Sequence, residues 1–266
     1  RNLSNPTAAR WMRLRSRPVI GWGLGIPKGG ALSALLHRNL LRHMQAVIAY
    51  SANGADQYIK AGMNPSRVFV AANAVTPRPT TPAINRPPII EQGAAQILFV
   101  GRLQTRKRVD TLLHALAALP AEDQPRLVIV GDGPDRTRLE MLAWQVYPHT
   151  TFAGAKHGAE LEPYFAVADL FVLPGTGGLA VQQAMAHSLP VIVGRADGTQ
   201  GELVRPENGW ILPDDSQPAL TSAIRQALSD IPALRRKGLA SHRIVSEEVN
   251  IEAMVQTFTR AVESVL

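Results

Sequence analysis

Residues 170–193 have the sequence LFVLPGTGGLAVQQAMAHSLPVIV, which predicts a strand, a glycine turn, a helix and a second strand in immediate succession. The apolar runs Leu170–Leu173 and Pro190–Val193 are typical of strands that are buried on both faces of a parallel sheet. Four residues between them recur with a helical period: Leu179, Gln182, Gln183 and Ala186. Glycines 175, 177 and 178 lie where the first strand gives way to this helix. Backbone N–H groups there can face an anion at the carboxyl edge of the sheet.

The alternation of strand and helix continues on both sides of this stretch. Before it, the runs ILFVG, LVIVG and TFAG each end in glycine and precede predicted helices, around 111–119, from Asp135 and around 161–167. After it, Trp210–Leu212 is a predicted edge strand, and Gln217–Leu228 and Glu247–Leu266 are predicted helices. This pattern predicts an α/β fold, with helices on both faces of a parallel sheet.

The first 75 residues predict only part of a second doubly wound domain. Strands are expected over 18–25, 47–50 and 68–71, a helix with a leucine-rich core face over 31–49, and a helix that Ser51 caps and that runs through Ile59. Three or four strands are fewer than the usual five or six of such a sheet. We therefore expect that the first part of this domain is absent from the chain, which opens on arginine. Residues 76–88 carry five prolines, TPRPTTPAINRPP, and predict a semi-rigid connector.

Composition narrows the class of protein. The chain has 266 residues, 45% of them hydrophobic, which is enough for one large or two modest domains. The absence of cysteine excludes disulfides and thiolate metal sites and favours a reducing cytoplasm. No apolar run approaches the roughly 20 residues that span a bilayer. The sequence therefore indicates a soluble protein.

The net charge of +7 is concentrated at the N-terminal end. Eight basic residues precede Asp56, the first acidic one: Arg1, Arg10, Arg13, Arg15, Arg17, Lys28, Arg38 and Arg42. Such a block fits anionic lipid, nucleic acid or a phosphorylated substrate, or is simply a solvated face. Aromatic residues make up only 5% of the chain and do not alternate with the basic ones, so we expect no nucleic-acid partner.

Several familiar site motifs are absent. Gly21–Gly25 and Gly131–Gly133 each begin like a dinucleotide fingerprint, but the third glycine is misplaced in both. No histidine pair has metal-ligand spacing, so no metal is predicted. Arg102 and Lys107, in contrast, directly follow the strand ILFVG, where two cations could neutralise a diphosphate. Arg106 and Arg108 lie beside them, so an ordinary basic loop without a binding role is an equally good interpretation.

Five segments in register resemble glycosyltransferase family 4. They are GRLQTRKRVDTLLHAL, LVIVGDGPDRTRLE, TFAGAKHGAELEPYFAVADLFVLPG, GGLAVQQAMAHSLPVIV and GELVRPENGWIL. The resemblance implies a GT-B fold of two Rossmann-like domains, and a metal-independent, retaining transfer of sugar from a nucleotide donor. It also implies the following domains: a partial acceptor-side domain over 1–75, a linker over 76–94, a nucleotide-sugar-binding domain over 95–246, and a helix over 247–266 that returns to the first domain.

The resemblance assigns site residues by position. Arg102 and Lys107 match the pair that holds the donor diphosphate, and they are the predicted catalytic residues. Gly178 and Leu179 match the helix start that meets phosphate or sugar, and the loop 153–156 matches the one that contacts the base. The complete predicted donor site comprises Gly101, Arg102, Lys107, Gly131, Gly133, Ala153, Ala155, Lys156, Gly175, Thr176, Gly177, Gly178, Leu179 and Gln183.

This chain departs from the family pattern at two positions. The family has two glutamates eight residues apart, where this chain has Gly175 and Gln183. An amide can still bind ribose hydroxyls, but glycine has no side chain to contact the transferred sugar. Ser188 also stands where the family has glycine after the helix. The glycine-rich loop and the histidine of the family's first domain have no counterpart here.

Three functional hypotheses follow. The first is a retaining transferase that uses a UDP- or GDP-sugar and a glycan or lipid-linked acceptor, in the cytoplasm or at the inner membrane face, with peripheral contact to anionic lipid. The second is a non-catalytic nucleotide-sugar-binding module, which the departures at Gly175 and Gln183 favour. The third is a nucleotide-sugar epimerase, which would need carboxylates or a histidine for proton transfer. No cofactor is expected beyond the donor substrate.

Overall fold

We describe the fold from a computed structural model, for residues 4–26, 31–86, 94–177, 179–195 and 200–266. The chain divides into two compact units. Unit 1 contains Arg1–Ala74 and Ile251–Leu266, and unit 2 contains Val75–Asn250. Each unit is built on a parallel sheet, which confirms the predicted α/β class.

Unit 1 has a three-stranded sheet in the order β1-β2-β3. Its strands are β1 (Ile20–Gly23), β2 (Ala46–Ala49) and β3 (Val68–Val70), and its first three helices are α1 (Ser4–Leu14), α2 (Ala31–Leu41) and α3 (Ala52–Lys60). All four residues of the central strand β2 are buried. Ser51 caps α3 as predicted, because its hydroxyl oxygen accepts a hydrogen bond from the Gly54 amide at 3.0 Å.

The predicted helix over 31–49 is too long. The amide of Met44 bonds to the carbonyl oxygen of Leu41 in a turn, and Gln45 already pairs with Val19 in the sheet. The expectation that the leucines of α2 all pack as core is also wrong, since Leu35 and Leu36 are 64% and 58% exposed. Helix α1 was not predicted, because arginines interrupt its apolar period and few of its residues are buried.

Unit 2 has a six-stranded parallel sheet in the order β6-β5-β4-β7-β8-β9. The strands are β4 (Gln96–Val100), β5 (Arg126–Val130), β6 (Thr150–Gly154), β7 (Leu170–Leu173), β8 (Val191–Val193) and β9 (Gly209–Ile211). Every residue of β7 and β8 is buried, as the two apolar runs predicted, and β9 is the predicted edge strand.

Seven helices cover the sheet of unit 2 among the described residues. They are α4 (Val109–Ala117), α5 (Arg136–Val146), α6 (Glu162–Val167), α7 (Leu179–Ala186), α8 (Gln200–Leu203), α9 (Gln217–Ser229) and α10 (Ile231–Glu247). Helix α4 packs against α9, and α7 packs against α10. Helix α10 was not predicted, although it has a clear start signal: Asp230 accepts a hydrogen bond from the Ala233 amide at 2.8 Å.

The strand order places a topological switch point at the centre of this sheet. From β4 the chain proceeds outward to β5 and β6, and then returns to β7 on the opposite side of β4. The loops that follow β4 and β7 therefore diverge from adjacent strand ends. A crevice at such a point is where open parallel sheets bind ligands.

The helix predicted over 247–266 begins four residues later in the structure, at Ile251, and ends at Glu263. Helix α10 ends at Glu247, where the Asn250 side chain donates to the carbonyl oxygens of Val245 and Ser246. The last helix, α11 (Ile251–Glu263), belongs to unit 1, where Ala261 is fully buried beside Ile48. The side-chain amide of Asn250 thus caps the end of α10, and the predicted last helix starts only after this cap.

Residues 75–86, within the predicted connector, are held firmly by unit 2. The amide of Val75 donates to the buried side-chain oxygen of Gln182 at 2.6 Å, and Ile84 donates to the hydroxyl of Ser188 at 2.9 Å. Arg86 is buried, and its guanidinium donates to the carbonyl oxygens of Phe165, Ala168, His187 and Ser188. The connector is therefore an ordered part of unit 2 up to residue 86, and residues 87–93 lie outside the described range.

Candidate functional site

The turn after β7 packs against the loop after β4. The Thr176 amide donates to the carbonyl oxygen of Arg106 at 3.0 Å, and the Arg106 guanidinium donates to the Thr176 hydroxyl at 2.9 Å. A Cβ on Gly175 would overlap the carbonyl oxygen of Arg106, so the close approach requires glycine. Gly177 has φ 130°, a conformation that favours glycine. The two predicted glycines are thus explained by packing against residues 106 and 107.

Lys107 lies between these loops and is almost fully buried. Its ammonium donates to the carbonyl oxygen of Thr176 at 2.7 Å. Burial lowers the pKa of Lys107 below its ordinary value, and the neighbouring charge of Arg106 lowers this pKa further. A Cβ on Gly101 would lie 3.7 Å from Cε of Lys107, so the lysine stem passes beside the end of β4.

A cavity of about 510 Å³ opens at the carboxyl ends of β4, β5 and β6. Six of the predicted donor-site residues line it: Gly101, Arg102, Gly131, Gly133, Ala155 and Lys156. Arg102 is exposed there, and it has no hydrogen bond or ion pair to the residues that the structure describes. The fold therefore leaves Arg102, one member of the predicted pair Arg102 and Lys107, available to an anion in this cavity.

The floor of the cavity depends on the close approach of two strand ends. Gly131 has φ 149°, and a Cβ there would overlap the carbonyl oxygen of Gly101 on the neighbouring loop. The amide of Leu103 bonds to the carbonyl oxygen of Asp132 at 2.8 Å, which joins the two loops. The GDG sequence thus allows the backbones of the two loops to pack directly on each other beside the cavity.

Asp132 and His157 also line the cavity, and sequence reasoning missed both. The Gly133 amide donates to the Asp132 carboxylate, and this bond, together with one from Arg136 at 3.1 Å, lowers the pKa of Asp132. Asp132 is therefore a hydrogen-bond acceptor rather than a proton donor at neutral pH. Position alone could have identified it, because it follows a strand end in the same way as Arg102.

The loop predicted to meet the base is only partly in the cavity. Ala155 and Lys156 line it, and the Lys156 ammonium lies 3.8 Å from the Glu160 carboxylate. Ala153 is the fourth residue of β6 and is half-buried. Ala153 lies one position before the end of the strand, and it does not line the cavity.

The start of α7 brings the remaining predicted residues near the glycine turn. Leu179 begins the helix and is 48% exposed, and Gln183 lies one turn later and is half-buried. The Gln183 side chain makes no hydrogen bond among the residues that the structure describes, which leaves its amide available to a ligand. Gly178, also predicted for the donor site, lies outside the described residues.

Two further glutamines support the site and were not predicted as part of it. Gln182 is fully buried and ties residues 75, 76 and 249 to α7. Gln200 is 2% exposed, and its amide donates to the carbonyl oxygens of Gly175 and Gly177 at 3.3 and 2.9 Å. Gln182 shares the helical period of Leu179 and Ala186, but nothing in the sequence identified either glutamine as buried.

The described residues contain no group of three or more histidine, aspartate or glutamate side chains that could hold a metal ion. The absence of a bound metal stays a prediction. Across the same part of the chain, every helix is too short or too polar to cross a bilayer.

Comparison with known proteins places this architecture in a family. The family model described as glycosyl transferases group 1 matches residues 94–230, which is half of the chain. A GDP-mannose-dependent alpha-mannosyltransferase of Mycobacterium tuberculosis is 32% identical over 220 residues, covering 80% of this chain and 55% of that protein. A protein of the same name from Mycolicibacterium smegmatis is 40% identical over 152 residues, covering 55% of this chain and 37% of that protein.

The chain thus spans about half, or less, of the length of these curated relatives. A similar fold occurs in the crystal structure of HepE from Anabaena in complex with UDP, with a TM-score of 0.79 and 19% identity. That likeness covers 98% of this chain and 76% of HepE. The predicted GT-B class is confirmed for the fold, and the chain belongs to the family of glycosyl transferases group 1.

Proposed function

We propose that unit 2 binds the donor of a glycosyltransferase, and that this donor is GDP-mannose. The observation that carries the proposal is the cavity at the carboxyl ends of β4, β5 and β6, with the available Arg102 on its lining and the Lys107 stem beside Gly101. The two mycobacterial relatives are named as GDP-mannose-dependent, which supports this donor over a UDP-sugar. The whole protein would then transfer mannose to a glycan or lipid-linked acceptor, with retention of configuration.

In this proposal the catalytic power is electrostatic. Arg102 and Lys107 bind the donor diphosphate, and their charges stabilise the negative charge that develops on GDP as the sugar leaves. Preformed cations in a partly buried crevice need little reorganisation, because Lys107 is already fixed by its hydrogen bond to Thr176. The transfer is proposed to proceed without a metal, since two protein cations supply the charge.

Gln183 is proposed to bind the ribose hydroxyls, because its half-buried amide offers both an acceptor and donors. The sugar itself must be bound differently from the family pattern. Gly175 has no side chain, and the carbonyl oxygen of Arg106 occupies the space that a Cβ would need. The hydroxyls of the transferred sugar are therefore proposed to hydrogen-bond to other groups of the complete protein.

Calorimetry with a donor panel tests the proposal. GDP and GDP-mannose should bind to this chain, whereas guanosine should bind weakly and UDP-glucose should bind at least tenfold less tightly than GDP-mannose. Arg102→Ala should remove most of the affinity for GDP, and Arg126→Ala, an exposed arginine at the opposite end of β5, is the matched control. Equal binding of UDP and GDP would contradict the donor, and no binding of either would contradict the site.

A second candidate is a module that binds the donor without transferring the sugar. The packing of Gly175 favours it, since one side chain that contacts sugar in the family has no room here. Turnover of GDP-mannose by the full-length protein, with analysis of the products, separates the possibilities. Release of GDP with a new glycosidic bond supports the transferase, binding without turnover supports the module, and an inverted sugar centre on intact nucleotide supports an epimerase.

We further propose peripheral contact with anionic lipid at the inner face of the membrane. Arg10, Arg13, Arg15 and Arg17 are exposed on and after α1, next to the exposed side chains of Trp11 and Leu14. Each basic residue near an anionic surface contributes about 1 kcal/mol, and salt screens the attraction. Co-sedimentation should show binding to anionic but not to neutral vesicles, and equal binding to both would rule this contact out.

A further inference from the structure

The glycine turn that holds Lys107 is itself held by Gln200. The side-chain amide of Gln200 donates to the carbonyl oxygen of Gly175 at 3.3 Å and to that of Gly177 at 2.9 Å. The carbonyl oxygen between these two, that of Thr176, instead accepts the hydrogen bond from the Lys107 ammonium at 2.7 Å. One amide therefore binds the carbonyls on both sides of the one that binds the lysine.

This arrangement restricts the direction of the Thr176 carbonyl. A turn of glycine, threonine and glycine is free to rotate its peptide planes, because two of its three residues lack a Cβ. The bonds from Gln200 fix the peptide planes on both sides, and the Arg106 carbonyl fixes the Thr176 amide at 3.0 Å. Gln200 thus contributes two of the hydrogen bonds that define the position of the acceptor for Lys107.

Gln200 is unusual in how its own polar atoms are satisfied. It is 2% exposed, and its side-chain oxygen has no hydrogen-bond partner among the residues that the structure describes. A buried acceptor without a partner costs about 1–3 kcal/mol, so the side-chain oxygen of Gln200 does not stabilise the fold. Its contribution to the site lies in the two hydrogen bonds that the NH₂ group donates.

We infer that Gln200 is a positioning residue of the donor site, which sets the place of the Lys107 ammonium through the turn 175–177. The inference rests on the proposed function in so far as Lys107 binds the donor diphosphate. It adds a residue that contacts neither donor nor reacting atoms. Replacing the NH₂ donor should therefore displace Lys107 and weaken only the part of donor binding that depends on this lysine.

Two substitutions isolate the donor group. Gln200→Met keeps the length of the side chain and removes both polar atoms, and Gln200→Glu keeps the shape and an oxygen but replaces the NH₂ group. Gln124→Met is the matched control, because Gln124 is half-buried and its amide donates to the Leu119 carbonyl oxygen at 3.1 Å, away from the cavity. Thermal unfolding establishes that each variant is folded, and Gln200→Leu, which lacks both polar atoms and adds no charge, is the variant measured if Gln200→Met does not fold.

The first measurement follows Lys107 directly, without any ligand. NMR of isotope-labelled lysine side chains is simple here, because the chain has five lysines: Lys28, Lys60, Lys107, Lys156 and Lys237. In Gln200→Met the pKa of Lys107 should move up toward the ordinary 10.5, since the released ammonium gains access to water. Gln200→Leu should raise it in the same way, whereas in Gln200→Glu the added charge raises it whether or not the turn moves. An unchanged Lys107 titration in the folded variants overturns the inference.

The second measurement is a double-mutant cycle for GDP binding. Gln200→Met should weaken GDP binding about tenfold and leave guanosine binding unchanged, and it should have no further effect in a Lys107→Ala background. A loss of the same size in both backgrounds would assign Gln200 a merely structural role and overturn the inference. If the parent chain does not bind GDP, the proposed function is wrong, and the Lys107 titration still decides the role of Gln200.

Discussion

Two cations at the end of β4 differ in how the fold places them. Arg102 is exposed in the cavity, whereas Lys107 is buried and bonded to Thr176. The loop between them contains Arg106, which is exposed and has its guanidinium bonded to the Thr176 hydroxyl. These three residues carry the same charge, but they differ in burial and in hydrogen bonding, and we propose that only Arg102 and Lys107 bind the diphosphate.

We predict that Arg102→Ala and Lys107→Ala each weaken GDP binding far more than guanosine binding. A hydrogen bond to a charged group contributes about 1.5–3 kcal/mol, so each loss should be roughly tenfold or more. Arg106→Ala should have little effect, because its side chain binds Thr176 on the surface. Calorimetry measures all three, and equal losses would mean that the basic loop acts only through its total charge.

The buried environment of Lys107 also predicts a pH dependence. Burial lowers the pKa of Lys107 below 10.5, and only the ammonium form attracts a diphosphate. Affinity for GDP should therefore be complete at neutral pH and fall as the pH rises through this lowered pKa. In Lys107→Arg the decline should disappear, since a guanidinium stays charged over this range. A decline of the same shape in both proteins would show that another group titrates.

The resemblance to glycosyltransferase family 4 matches Gln183 to a position that the family fills with glutamate. If Gln183 binds the ribose, Gln183→Leu should weaken GDP binding by about 1–3 kcal/mol, because buried hydroxyls would lose their partner. Gln183→Glu should retain most of the affinity. Calorimetry with GDP decides this, and unaltered binding by Gln183→Leu would remove Gln183 from the site.

The elements of unit 2 are held in register by buried side chains that reach between them. Asp169, at the start of β7, is fully buried; it accepts from the Gln96 amide at 2.8 Å and pairs with Arg235 of α10 at 2.7 Å. Arg86 brings the segment before β4 onto the ends of α6 and α7. Burial lowers the pKa of Arg86 to about 10, so it remains charged at neutral pH.

Arg86 should therefore matter for stability. Its guanidinium satisfies four carbonyl oxygens at 2.6 to 2.8 Å, a geometry that a lysine cannot reproduce. We predict that Arg86→Lys lowers the free energy of unfolding by roughly 3 kcal/mol. Urea unfolding followed by circular dichroism measures this loss. Arg126→Lys, at an exposed position, should change it by less than about 0.5 kcal/mol, and a similarly small change at Arg86 would contradict the anchoring role.

The molecule as a whole consists of two units, and the predicted donor residues all belong to the second. We predict that GDP slows amide hydrogen exchange in the loops 101–107, 131–133, 155–157 and 175–177 of unit 2. The reason is that these backbone segments line the cavity or hold Lys107, so a bound diphosphate should restrict their local opening. Exchange in β9, at the far edge of the same sheet, is the internal control. Protection that appeared only in unit 1 would contradict the assignment of the donor to unit 2.

The sequence by itself determined the parallel α/β class, the six strands of unit 2 and most of its helices. Hydrophobic periodicity and the glycines at strand ends are local signals, and they are clear for buried strands such as β7 and β8. Motif order also identified the family and located Arg102, Lys107 and the glycines that line the cavity. The errors lay where local signals mislead: α2 was extended into a turn, α1 and α10 were missed, and the last helix was begun too early because the cap at Asn250 is a side-chain interaction.

Only the tertiary structure decided which polar residues act together. Nothing in the local sequence distinguishes Gln182, Gln200 or Arg86 from exposed residues of the same kind, because their partners lie 23 to 107 positions away in the chain. The sequence also does not distinguish Arg102 from Lys107, because both are basic residues of one loop. The fold distinguishes them, since the turn after β7 places the Thr176 carbonyl beside Lys107. Burial and hydrogen bonding depend on the atoms that folding brings together, and for these residues those atoms come from turns and helix ends that are distant in the sequence.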